Sequence, residues 1–324
     1  MARSRKLEEA LASLKAIRHD LTSEAAVATL QQVLKSKASI AVAQAAKLVG
    51  ESELYALKPD LVQAFERFME KPADTDPGCR AKERIAETLY RLEYSDETLF
   101  LQGIHHIQLE RTWGTSVDTA AGLRGVCALG LVRMNYPNVM DELADLLADA
   151  DPSARANAAK AIAYTGNREN LPLLRFKARI GDTNPQVFSE CLIGLLTLDP
   201  EASRAFVTQC LETAPEAFCE TTILALGESR LEVAFPLLQT CWGHSSAPNI
   251  RRMGLMAIAM LRHDEAIEFL MSLIAKGRLL DAQDALLALK LYQQEPVLWE
   301  RVCQTVQQRG EDALQAQMNR LMTD

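Results

Sequence analysis

A short pattern recurs along this sequence, and it leaves few folds open. Pro77-Gly-Cys-Arg80, Pro152-Ser-Ala-Arg155, Pro185-Gln-Val-Phe188, Pro215-Glu-Ala-Phe218 and Pro248-Asn-Ile-Arg251 each open an apolar stretch with helical spacing. Related stretches without the proline begin near Ser39, Ala121 and Leu280. Taking the fourth residue of each as a marker gives positions 42, 80, 124, 155, 188, 218, 251 and 283, at intervals of 30 to 44 residues. Three of the prolines follow a side chain suited to cap a helix, in Asp76-Pro77, Asp151-Pro152 and Asn184-Pro185. There a side-chain oxygen accepts a free amide, and the proline's missing N–H costs nothing. Between markers lies a second amphipathic segment, as in PNVMDELADLL and DEAIEFLMSLIA. Each unit therefore reads as a helical hairpin. One hairpin cannot bury its apolar face alone, so consecutive hairpins must stack.

The rest of the chain agrees with this reading. Leu7, Leu11, Leu14 and Ile17 give helical spacing to the first segment, and no strand-like alternation bounded by Asn-Gly or Asp-Gly turns is found. The expectation is an all-α, right-handed solenoid of about eight hairpins, one domain over residues 1–324. Residues 1–21 would form a capping helix, 22–292 the repeats with an irregular insertion at about 95–118, and 293–324 capping helices rich in Gln. With 48% hydrophobic residues the chain can build a large core, which excludes disorder. No apolar run approaches the roughly 20 residues that cross a bilayer, and the N-terminus lacks a signal-type apolar region. Seven cysteines without a CxxC pair suggest neither a disulfide framework nor a zinc ribbon, so a cytoplasmic location is expected.

The net charge of -8 disfavours a nucleic-acid binder, which draws on a basic face. The charge is uneven. Residues 1–72 carry 11 basic against 9 acidic side chains, and the remaining 252 residues carry a net charge of -10. The basic N-terminal part reads as a solvated helical surface rather than a membrane or nucleic-acid anchor.

The units resemble HEAT repeats, whose second helix reads as an apolar residue, an arginine, two small residues and an ALG-like triplet. Ala154-Arg155-Ala-Asn-Ala158-Ala159-Lys-Ala161-Ile162-Ala163 and Ile250-Arg251-Arg-Met-Gly254-Leu255-Met-Ala257-Ile258-Ala259 show the likeness. HEAT repeats also place an Asp six residues before the basic position. The resemblance implies a structural ladder here of Asp76 with Lys82, Asp118 with Arg124 and Asp149 with Arg155. Asp182 keeps the carboxylate, but Phe188 replaces the base, and Phe218 and Gln283 also depart from the pattern. The likeness covers roughly residues 22 to 292. It implies a fold and leaves activity open. No His-Glu dipeptide occurs, which separates the chain from the di-iron HEAT hydroxylase.

The longest interval, from marker 80 to marker 124, gathers His105, His106, Gln108, Glu110, Arg111, Trp113 and Asp118 within 14 residues. Long connections inside repeats are functional or disordered, and this one is too apolar for disorder. It reads either as packing over the array or as a partner-binding loop anchored by Trp113. A metal site is disfavoured because adjacent His105 and His106 point apart on regular backbone. Cys241-Trp242-Gly-His244 lacks a residue to orient the imidazole, and it reads as a helix end. Nucleotide and hydrolase motifs are absent. The expected function is a non-enzymatic scaffold binding a basic or mixed-charge protein through a concave row of second helices, with the 105–118 loop as a further candidate contact. No cofactor, metal, catalytic residue, membrane or nucleic acid is implied. The alternatives are a subunit of an enzyme of the HEAT-like lyase type, or a small-molecule or metal site at the 105–118 loop.

Overall fold

The computed structural model describes residues 2–112, 114–213 and 215–323. The chain divides into two compact units, Met1–Thr165 and Gly166–Asp324. Among the described residues both are helical apart from one small β-hairpin.

In the first unit the elements run α1 (Ala2–Ala16), α2 (Glu24–Leu34), α3 (Ser39–Glu51), α4 (Lys58–Met69), α5 (Pro72–Thr75), α6 (Arg80–Arg91) and α7 (Glu97–Ile104). Strands β1 (Leu109–Thr112) and β2 (Thr115–Asp118) follow, then α8 (Ala121–Arg133), α9 (Val139–Leu147) and α10 (Pro152–Tyr164). Helices α3, α6, α8 and α10 pack on one another in that order. Each is backed by an outer helix: α2 on α3, α4 on α6, α7 on α8 and α9 on α10. The inner row is lined by small residues that let backbones approach, such as Ala45, Ala46, Ala128, Ala158 and Ala159, all fully buried.

The second unit repeats the scheme with α11 (Leu171–Ile180), α12 (Pro185–Leu198), α13 (Pro200–Thr213), α14 (Glu216–Ser229), α15 (Ala234–His244), α16 (Pro248–Met260), α17 (Asp264–Lys276), α18 (Leu279–Leu289), α19 (Pro296–Arg309) and α20 (Asp312–Thr323). Its inner row is α12, α14, α16 and α18. All eight sequence markers fall on the eight inner-row helices, and the fold is the all-α HEAT type.

Two local departures from the sequence pattern have physical causes. Asp151 and Asn184 cap as expected, accepting from Ser153 N and Gln186 N at 2.8 Å each. Asp76 does not cap next to Pro77. Gly78 and Cys79, both with positive φ, intervene, and Asp76 instead accepts from Ala81 N and Lys82 N at 3.0 Å. The repeat register there follows Lys82 rather than Arg80, so the interval before Arg124 holds two residues fewer than the marker suggests. The second departure is the hairpin. Its strands are only four residues each, paired antiparallel from Leu109↔Asp118 to Thr112↔Thr115. That is too short for alternation to register above noise. The insertion thus contains the outer helix α7, and its true excess is the hairpin.

Candidate partner-binding site

The hairpin stands on a base of buried polar contacts. Gln108 is 2% exposed, and its amide donates to Asp76 O at 2.9 Å and to Glu110 Oε1 at 2.6 Å. Glu110 Oε1 also accepts from Gly78 N at 2.6 Å and Thr119 Oγ1 at 2.9 Å. His106 Nε2 lies 3.2 Å from Gln108 Oε1. At the foot of β2, Asp118 Oδ1 accepts from Gln108 N and Ala120 N.

Arg124 ties this base to the helical rows. Its Nη1 lies 2.6 Å from Asp118 Oδ2 and donates to His106 O at 2.9 Å, while Nη2 donates to Asp149 Oδ1 at 3.0 Å. One guanidinium, only 2% exposed, therefore bridges the carboxylate six residues before it and the carboxylate of the following hairpin. The planar fork suits two carboxylates at once, which a lysine cannot reproduce. Asp76 and Lys82, both fully buried, lie 3.2 Å apart. Arg155 Nη1 reaches the main-chain oxygens of Asp149 and Ala150. Buried pairs of this kind contribute little net stability but fix which groups face each other.

Electrostatics follow from the bonding. Burial alone would raise the Asp118 carboxyl, but hydrogen bonds from Ala120, Gln108 and Arg124 outweigh it and hold the group below its ordinary value. Glu110 behaves alike, with burial opposed by Gln108, Gly78 and Thr119. Burial pushes the His106 ring down, favouring its neutral form.

These contacts separate the residues singled out in the sequence. Gln108, Glu110 and His106 are joined to one another. His105 is exposed but lies 2.6 Å from Glu142 of α9. Arg111 is exposed on β1, and Trp113 lies outside the described residues. The large apolar side chains that face solvent are ones that no motif marks: Ile107, Leu109 and Val117, at 63%, 65% and 45% exposure. Apolar residues alternating with polar ones in a short segment carry no signal of which face is wet.

A second place gathers reactive groups. In the second unit Cys219 of α14 and Cys241 of α15 line a cleft of about 400 Å³, and each thiol perturbs the other. The thiol contact with Cys241 pulls Cys219 below its ordinary value and pushes Cys241 up. His244 at the cleft edge lies 3.6 Å from Glu212. The pairing joins residues 22 positions apart across two helices, which no local motif could show. Among the described residues no group of three metal-binding side chains occurs, and no helix is long and apolar enough to cross a membrane.

Residues 140–227 match the family model of HEAT repeats, so the chain carries HEAT repeats over that stretch. No curated protein matches the sequence. Among solved structures, the complex of CpcE and CpcF of phycocyanin lyase from Nostoc sp. PCC7120 is similar at 16% identity and a TM-score of 0.37, over 71% of this chain and 89% of that chain. Human deoxyhypusine hydroxylase in complex with glycerol is similar at 13% identity and a TM-score of 0.29, over 91% of this chain and 98% of that chain.

Proposed function

We propose that this protein is a non-enzymatic HEAT-repeat scaffold of a reducing compartment such as the cytoplasm, engaging a protein partner through its inner helices and the 105–118 segment that carries the hairpin. The observation that carries this reading is the contrast between the bonded foot of the hairpin and the apolar side chains left in solvent on both of its faces, Leu109 on one and Val117 on the other. Its base is bonded to Asp76, Gly78 and Arg124, while Ile107, Leu109 and Val117 face solvent. A preordered apolar projection loses little freedom on binding, which makes its contact area count toward affinity. The acidic excess after residue 72 favours a basic or mixed-charge partner, whose association should weaken with salt. The test is affinity capture from native extract with the full chain and with Leu109→Ser/Val117→Ser. The reading expects partners recovered by the first bait to be lost from the second, at equal thermal stability. Identical recovery would remove the hairpin.

A second reading, a subunit with a small-molecule site, is favoured by the Cys219–Cys241 cleft. Ligand-induced thermal shifts that vanish in Ile250→Trp, which fills the cleft, would move the function there.

A further inference from the structure

The first unit holds a cleft of about 950 Å³ lined by Lys6 of α1, Lys35 and Lys37 after α2, Arg67 of α4 and Lys71 before α5. Only Glu70 and Asp74 oppose them on its lining. Lys35 lies 3.7 Å from Asp60. Among the described residues, Lys6, Lys37 and Lys71 have no carboxylate within 4.0 Å, and all three are exposed. Arg67 is held in place, donating through Nη2 to Leu34 O at 2.6 Å and Ser36 O at 3.2 Å, yet its buried Nε has no partner. Phe68, 1% exposed, forms part of the wall. Lys71 sits at φ +48, a left-handed conformation that non-glycine residues seldom adopt, so the backbone there bears a cost that a glycine would relieve.

In a chain of net charge -8, a concentration of cations around one opening calls for a ligand. We infer that this cleft binds an acidic peptide segment of a partner protein. The cations decide the class of ligand. Four of them are lysines on long flexible stems, drawn from three segments of chain. They can track carboxylates spaced along a peptide better than they can close on one phosphate, which is favoured by bidentate arginines or clustered backbone amides. A long nucleic acid or a membrane would need cations beyond the opening, whereas a short acidic segment is matched by the five that line it. The inference goes beyond the hairpin reading and uses none of its residues, so either can fail alone.

The test titrates the full chain into a labelled oligoglutamate peptide by fluorescence anisotropy. Saturable one-to-one binding is expected, weakening about tenfold as salt rises from about 50 mM to about 200 mM. Lys6→Glu/Lys37→Glu/Lys71→Gly should weaken it by more than about tenfold. The glycine at position 71 removes a charge while relieving the backbone, so the triple variant should keep its helicity and melting temperature. Lys160→Glu, exposed on α10 outside the cleft, should bind as the wild type does. Absence of saturable binding at low salt, or equal binding by a triple variant that melts normally, would overturn the inference. So would polyuridylate, phosphatidylserine vesicles or inorganic phosphate occupying the same cleft at lower concentration than the peptide. If the triple variant unfolds, Lys37→Glu alone serves, and its binding must still fall.

Discussion

Arg124 shows how one side chain serves two purposes. It holds the hairpin's foot through Asp118 and the next helical pair through Asp149. Arg124→Met would leave two carboxylates facing a half-buried gap without their cation, a change that costs about 3 kcal/mol. Urea denaturation should show the midpoint falling accordingly, with Arg124→Lys intermediate. Acid acts on the same base. Asp118 and Glu110 titrate below their ordinary values when folded, so their contribution is complete above the unfolded pKa and is lost as pH falls through about 4 toward the folded values. His106 is also lowered, from 6.5, and its contribution drains away as pH drops below that figure. All three act in one direction, and amide exchange at 106–118 should quicken on acidification in two stages. The thiols differ in a readable way as well. Burial pushes Cys79 and Cys191 up to about 12, while Cys219 is lowered by its contact with Cys241. Iodoacetamide should therefore label Cys219 well before Cys79 or Cys191 in native protein, as read by peptide mass analysis.

At the scale of helices, the inner rows depend on close approach. A Cβ added at Gly227 would lie 2.7 Å from the backbone of Ala257, so α14 and α16 must separate. Gly227→Ala should cost about 2 kcal/mol. At Gly243 nothing lies within 4 Å, and Gly243→Ala should be neutral or gain up to about 1 kcal/mol from helix propensity. Thermal melts of the two variants decide the point. The inner row is legible in the sequence through helical spacing, because burial of one face repeats every few residues through α8, α10 and α16. The caps at Asp151-Pro152 and Asn184-Pro185 are legible too. Three things are not. The hairpin spans too few residues to leave a period. The Gly78–Cys79 offset depends on backbone dihedrals that composition does not display. Polar residues stand out in the insertion, and His106, Gln108, Glu110 and Asp118 among them are consumed by internal bonding. Ile107, Leu109 and Val117, left in solvent, look in a sequence like any core residue.

For the molecule as a whole, the acidic balance sets behaviour in solution. With a pI near 5.3, solubility should pass through a minimum near that pH, where mutual repulsion between copies vanishes, and light scattering should peak there. The junctions between successive hairpins are not built alike. Arg124 reaches Asp149, and Arg251 reaches Asp281 at 2.6 Å. Between α12 and α14 the corresponding positions carry Phe188 and Phe218, whose rings meet edge to face at 5.6 Å, beside a buried Ser189–Thr222 hydroxyl pair. Asp182 turns back to Lys177 of its own hairpin at 3.0 Å. Modules with such unlike joints cannot be shuffled. Splicing the 185–229 segment directly behind α8 would leave Arg124 without the carboxylate that Asp149 supplies, so lineages of this chain can lengthen or shorten it by duplication only where donor and acceptor modules share the same fitting.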